Sequence, residues 1–246
     1  MARSSAESVS DPVRRSPAAM TAGAAAMFDQ STFGFLAALS AGKDKTWFDA
    51  NRHTYEASLM APLRRLVGVV GARLAPLDPS FEIAPQVNKT LTRLNRDMRF
   101  ARGKSPYKDH MLALFYRQGR KKEDPQLFVG LQPQEGWVGL YVGPHLLAED
   151  APIRAALRHD PARVREAAGA AGVGRPGGNE LATCERYGEV KHVLRGEETS
   201  DFVAGPHLVV MRRVPAGDIV RAGDGFATAC AERLAELFPL WQLYAP

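Results

Sequence analysis

The chain has 246 residues, 45% of them apolar and 24% charged, with a formal net charge of +5. Those values suit an ordinary soluble globular protein with room for one large domain or two small ones. They offer no membrane span and no leader: the early uncharged run from Ser16 to Phe28 is mostly Ala and too short, and Glu7 and Asp11 stand where a basic region belongs.

Residues 1–27 are rich in Ala, Ser, Arg and Pro and poor in large apolar side chains, so the reading is a disordered tail before a single domain over residues 28–246. Ser31 or Thr32 is expected to cap a short helix with Phe35, Leu36 and Leu39 on one face. Asp44 is expected to cap a longer one. Its stripe, Phe48, Tyr55, Leu59, Leu63, Leu66, Val70 and Leu74, keeps helical spacing throughout. Pro62 interrupts it, so either the helix kinks or a second helix begins there.

Beyond Pro76 and Pro79, Phe81 to Val87 reads as a short strand. Met111 to Tyr116, Gln126 to Leu131 and Trp137 to Val142 then read as an antiparallel meander joined by Gly- and Pro-bearing turns. Ala151 to Leu157 and Pro161 to Ala168 look helical. Gly169 to Asn179 is a glycine-rich break without phosphate-loop spacing. His207 to Val214 is a further strand, Gly225 to Leu237 an amphipathic helix, and Phe238 to Tyr244 closes on the core. The fold class is α+β: N-terminal helices packed on an antiparallel β-meander, with a C-terminal helix.

The segment from Lys89 to Lys122 does not read as ordinary fold. It carries eleven Lys or Arg against Asp97 and Asp109, a net +9, so the remainder of the chain is −4. Arg93, Arg96, Arg99 and Arg102 recur every three residues, and Lys104, Tyr107 and Lys108 follow around a Ser105-Pro106 turn. Three readings compete. In the first, Arg93, Arg96, Arg99, Lys104, Tyr107 and Lys108 converge on an anionic small molecule, a phosphate or carboxylate. Asp97 orients one guanidinium, and Trp47 borders the site. In the second, the segment and the Arg117 to Lys122 turn form a phosphate stripe for nucleic acid. In the third, Arg96, Asp97 and Arg99 are a structural ion-pair network. An enzyme using the same Arg, Asp and Tyr cluster is the alternative to simple binding.

Metal and cofactor chemistry finds little footing. Six histidines show no HExxH spacing, there is no GxSxG, and Cys184 and Cys230, both placed on helices, lack CxxC spacing. The reading is no metal, no cofactor, no membrane partner and a reducing cytoplasm, with catalytic residues and oligomeric state open.

The run Arg93-x-x-Arg96-Asp97-x-Arg99-Phe100, followed by Lys104-Ser105-Pro106-Tyr107-Lys108, resembles the signature of a conserved-hypothetical bacterial family, domain of unknown function 2461. Phe35-Leu36-x-x-Leu39 and Lys45-Thr46-Trp47-Phe48-x-x-Asn51-x-x-x-Tyr55 are similar to that family's opening. So is the hairpin edge from Gly139 to Gly143. The resemblance implies one cytoplasmic domain with its site at Arg93 to Tyr107 and brings no catalytic role with it. Gly103 departs from it, since the family usually has Asp or Asn just before the lysine.

Overall fold

A computed structural model of the chain describes residues 26–246, apart from 101, 102, 104, 186 and 188. Most of the expected tail therefore lies outside the described residues. Met27 and Phe28 are already in the core.

Helix α1 spans Gln30–Ser40 and is capped by Asp29, not by Ser31 or Thr32. The Asp29 carboxylate accepts from the Ser31 and Thr32 amides, and Thr32 answers from the third helical position, a reciprocal capping box. Asp44 caps α2 (Lys45–Ala50) as expected, by accepting from the Trp47 amide. A short α3 (Arg52–Thr54), a wide π-helical turn (Tyr55–Met60) and α4 (Ala61–Leu74) continue the same stripe. Pro62 stands in the first turn of α4, as the second of the two expectations has it, and neither expectation includes the π-turn before it. A proline has no N–H and its ring crowds the carbonyl four residues back, here that of Ser58. The buried Thr32 hydroxyl donates to that carbonyl at 2.6 Å, so α1 supplies the hydrogen bond that Pro62 cannot.

The sheet has six strands in the order β1-β2-β3-β6-β4-β5, every neighbouring pair antiparallel. The meander is β1 (Met111–Phe115), β2 (Gln126–Leu131) and β3 (Glu135–Val142). β6 (Leu208–Pro215) pairs with β3, and β4 (Glu180–Cys184) and β5 (Val190–Leu194) extend the sheet beyond it. The expected strand at Phe81 to Val87 is instead an isolated bridge from Phe81 to Arg117. The edge of β1 is covered by residues 90–92, where the Leu114 amide donates to the Thr90 carbonyl and the Thr92 amide to the Leu112 carbonyl. Cys184 sits on β4, not on a helix; Cys230 is helical as expected, and burial raises the pKa of both thiols.

Alternation along the strands separates two apolar faces. Ala113, Phe115, Leu127, Val129, Leu140 and Val210 join the helices in the main core. These helices include α4, α5 (Pro152–His159), α6 (Pro161–Ala170), α7 (Ala216–Ala222), α8 (Gly225–Glu236) and α9 (Phe238–Tyr244). Leu112, Leu114, Phe128, Trp137, Val209 and Met211 form a second cluster on the other face, with Tyr141 and Tyr187 packed against it. Gly130 and Gly139 belong to that second face. A Cβ at Gly130 would come within 2.9 Å of the Trp137 ring, and one at Gly139 within 2.4 Å of the Val210 carbonyl oxygen.

Candidate functional site

The arginine segment folds as a long hairpin loop. The Arg96 amide donates to the Pro106 carbonyl at 2.7 Å, and the Lys108 amide to the Leu94 carbonyl at 2.9 Å. Across this base the Arg96 guanidinium donates to the carbonyls of Ser105 (3.1 Å) and Tyr107 (3.5 Å). Arg96 thus acts as a clasp. Tyr107 is buried, stacked on Phe48 of α2 at 4.6 Å, and the Ser105 hydroxyl reaches the Lys43 carbonyl at 3.4 Å. Trp47 lies on that same helix, half-buried against Phe35, with the Lys43 ammonium 5.8 Å above its ring. The loop tip is exposed, and there Asp97 holds Arg99 through two oxygens at 2.7 and 3.0 Å. Arg93 donates to the Asn88 side chain at 2.5 Å. Lys104 lies outside the described residues. The structure brings Arg96, Tyr107 and Lys108 together at the base and puts Asp97 and Arg99 at the tip.

Acids from outside the +9 segment neutralise part of it. Asp124, fully buried, accepts from the Arg117 amide and guanidinium and from Arg120. Burial would raise its pKa, but these hydrogen bonds win and hold it below the usual carboxylate value. Lys89 pairs with Glu82 at 3.6 Å. Lys108 and Lys121 have no carboxylate partner among the described residues. Lys108 donates to the Arg93 carbonyl at 3.1 Å and Lys121 to the Lys89 carbonyl at 3.2 Å. Burial lowers the pKa of both, Arg96 adds to it for Lys108, and Lys108 adds to it for Lys121.

Lys121 and Lys122 border a cleft of about 460 Å³ over the second face of the sheet, a size usual for small-molecule sites. Three connections build it: the β1–β2 turn, the end of β3, and the β4–β5 turn with Tyr187. Thr92, next to the carbonyl that Lys108 holds, reaches the same cleft. His145 Nε2 meets the Glu123 carbonyl at 2.9 Å and ties the first two connections together. Tyr141 lines the cleft; its hydroxyl lies 2.7 Å from His207 Nδ1, and its ring centroid 4.2 Å from that of Tyr187. Gln126 donates its amide to the Lys121 carbonyl at 2.5 Å, and its buried Oε1 has no hydrogen-bond partner among the described residues.

A family model described as a conserved hypothetical protein (DUF2461) matches residues 31–242. The chain belongs to that family. No curated protein matches it. Gly103 lies within the DUF2461 match, beyond the base of the hairpin. Its φ is +74°, the left-handed region that Gly, Asn and Asp adopt more readily than other residues. The position asks for a conformation that all three supply.

For this DUF2461 chain, sequence reasoning singled out Lys108 and the Arg117 to Lys122 turn but gave no attention to Gln126, Tyr141 and Tyr187 of this cleft or to His207 beside Tyr141. Tyr141 carried a signal: Trp137, Gly139 and Tyr141 alternate on one side of β3, and a tyrosine ending such a row meets the sheet's rim. His207, just ahead of β6, gains meaning only from the β3–β6 pairing. Among the described residues no group of three His, Cys, Asp or Glu could hold a metal ion, and no helix is long and apolar enough to cross a membrane.

Proposed function

We propose that the cleft binds a small molecule carrying a phosphate or carboxylate. One observation carries this reading. Lys108 and Lys121 are two half-buried ammonium groups, Lys121 within the field of Lys108, each held on a backbone carbonyl with no carboxylate partner among the described residues. Taking a cation out of water and placing it near another costs stability unless an anion neutralises both. Lys121, which borders the cleft, spends one hydrogen on a backbone carbonyl and lies 5.4 Å from the Tyr116 ring centroid, which leaves it hydrogen-bonding capacity for a ligand, while Lys108, held on the Arg93 carbonyl, adds its charge nearby. In this reading Arg96 and Tyr107 hold the hairpin base, and with it Lys108, in place. Asp97 and Arg99 belong to the outer loop, Arg93 to the segment leading into its base, and Trp47 to the helix on which that base rests.

A thermal-shift screen at low salt tests it, with inorganic phosphate, simple dicarboxylates and phosphorylated metabolites as probes. A binder raises the melting temperature by mass action. Wild type is expected to respond, and Lys121→Met, which keeps the methylene stem, is not. Equal responses from both proteins would put the anion elsewhere. Capture of single-stranded nucleic acid with a steep salt slope would transfer the lysines to the nucleic-acid reading.

A second reading, catalysis, rests on the hydrogen bond between Tyr141, which lines the same cleft, and His207 behind it. A tyrosine hydroxyl with an imidazole behind it can pass a proton to or from a bound substrate. The pair has a better claim than Tyr107, which is buried against Phe48. Conversion of a screen hit by wild type but not by Tyr141→Phe would establish it.

A further inference from the structure

The geometry points to a narrower ligand class, which rests on the anion reading above: a phosphate joined to a flat ring, of the size of a nucleoside monophosphate, with the ring against Tyr141 and Tyr187. The cleft is asymmetric in its chemistry. One border is cationic, with Lys121 and Lys122 on it and Lys121 within the field of Lys108. Another is an aromatic wall. The Tyr187 ring packs on Tyr141 at 4.2 Å and stands edge-on to Phe128 at 5.5 Å, and Phe128 is fully buried in the sheet. His207 bonds the Tyr141 hydroxyl and its ring lies 5.9 Å away at 27°, so the wall is pinned from behind. A bare phosphate would leave this wall unused, whereas a planar ring stacks on it.

Gln126 adds a demand of its own. Its amide group faces the Lys121 carbonyl, which fixes the orientation, because the flipped amide would set two oxygens against each other. The side-chain oxygen is then a buried acceptor without a donor among the described residues, on a residue that lines the cleft. A ligand N–H or O–H answers it, as an exocyclic amine, a ring N–H or a sugar hydroxyl does. Anion, flat ring and hydrogen-bond donor together describe a nucleotide-like molecule better than a dicarboxylate or a free phosphate.

Calorimetric titration of the full chain with adenosine 5′-monophosphate, uridine 5′-monophosphate, ribose 5-phosphate, adenosine and inorganic phosphate separates the layers of this argument. At least one nucleotide is expected to bind about tenfold tighter than ribose 5-phosphate, the size of a single stacking contact. Tyr187→Leu should erase that preference and leave the response to inorganic phosphate intact. Lys121→Met should weaken every phosphorylated probe, with circular dichroism confirming that both variants fold. If ribose 5-phosphate or inorganic phosphate binds as tightly as both nucleotides, the ring is overturned and the anion reading stands. If adenosine binds as well as its monophosphate, the anion reading falls and takes this proposal with it. Binding of none of the five probes overturns the nucleotide class outright.

Discussion

The two faces of one sheet are built differently. On the helical side, Phe115, Val129, Leu140 and Val210 meet α4, α8 and α9 in a continuous core, and the buried side chains are apolar to the ends of the strands. On the other side the same strands start as a core, with Leu114, Phe128 and Met211. They end among Lys121, Gln126, Tyr141 and Tyr187 at an open cleft. The strands hardly differ in composition between the faces; the connections do. Helices cover one face, while turns cover the other only in part and bring charge to its rim. Stability is therefore expected to reside on the helical side and in the anchors of the turns, and ligand recognition at the rim.

The largest test strikes an anchor. Asp124→Ala strands Arg117 and Arg120 around an empty site and should cost about 3–5 kcal/mol in urea denaturation, as breaking a buried ion pair does. A loss under about 1 kcal/mol, the size of a surface ion pair, would mean that water already serves that carboxylate. On the helical side Leu59→Ala, at a position with no exposure, should cost about 2–5 kcal/mol. Arg96→Met removes the clasp across the hairpin base. The expected loss is about 1.5–3 kcal/mol, with new proteolytic cleavage between residues 97 and 104. Arg96→Lys should show the same cleavage, since it keeps the charge but not the fork.

Acid should also act near the base of the hairpin. Burial lowers the His110 pKa, against the raising influence of Asp109 and with Lys108 and Arg96 opposing protonation. The unfolded chain then binds this proton more readily than the folded one. The contribution of His110 to stability is therefore constant above about pH 6.5 and falls as pH drops below it. His110→Gln should flatten that part of the profile. The smallest effect belongs to the lysines. Lys121→Met should shift unfolding by no more than about 0.5 kcal/mol without ligand, in the stabilising direction if at all, because it removes a cation that burial and Lys108 disfavour. A clear loss would make Lys121 a structural residue and weaken the contrast between the faces.

Much of this architecture can be read from sequence, and the exceptions have physical causes. Met111 to Phe115 and Gln126 to Leu131 are uninterrupted apolar runs, so periodicity identifies them. β4 and β5 escape because a register shift at Thr183 and Cys184 breaks the alternation and β5 is an exposed edge. The arginine cluster was legible as charge but not as geometry. Its nearest neutralising acids, Glu82 and Asp124, lie just outside the segment in sequence and become neighbours only when the β1–β2 turn closes. Nothing in the run itself tells an arginine that forks onto a ligand from one, like Arg96, that forks onto backbone carbonyls.

The π-turn at Tyr55–Met60 bears on how this chain can change over generations. A wide turn is what one extra residue leaves in a regular helix. Deleting one residue there would return an ordinary turn and leave α2 and α4 in phase, whereas deleting one within regular α4 would turn α2 by about 100° relative to the rest of α4. In the second case Phe48 would leave Tyr107, and the Ser58 carbonyl would move away from Thr32. A codon lost beyond the wide turn would therefore be felt at the base of the arginine hairpin. Lineages carrying this fold are expected to change length at the wide turn before they do so in α4.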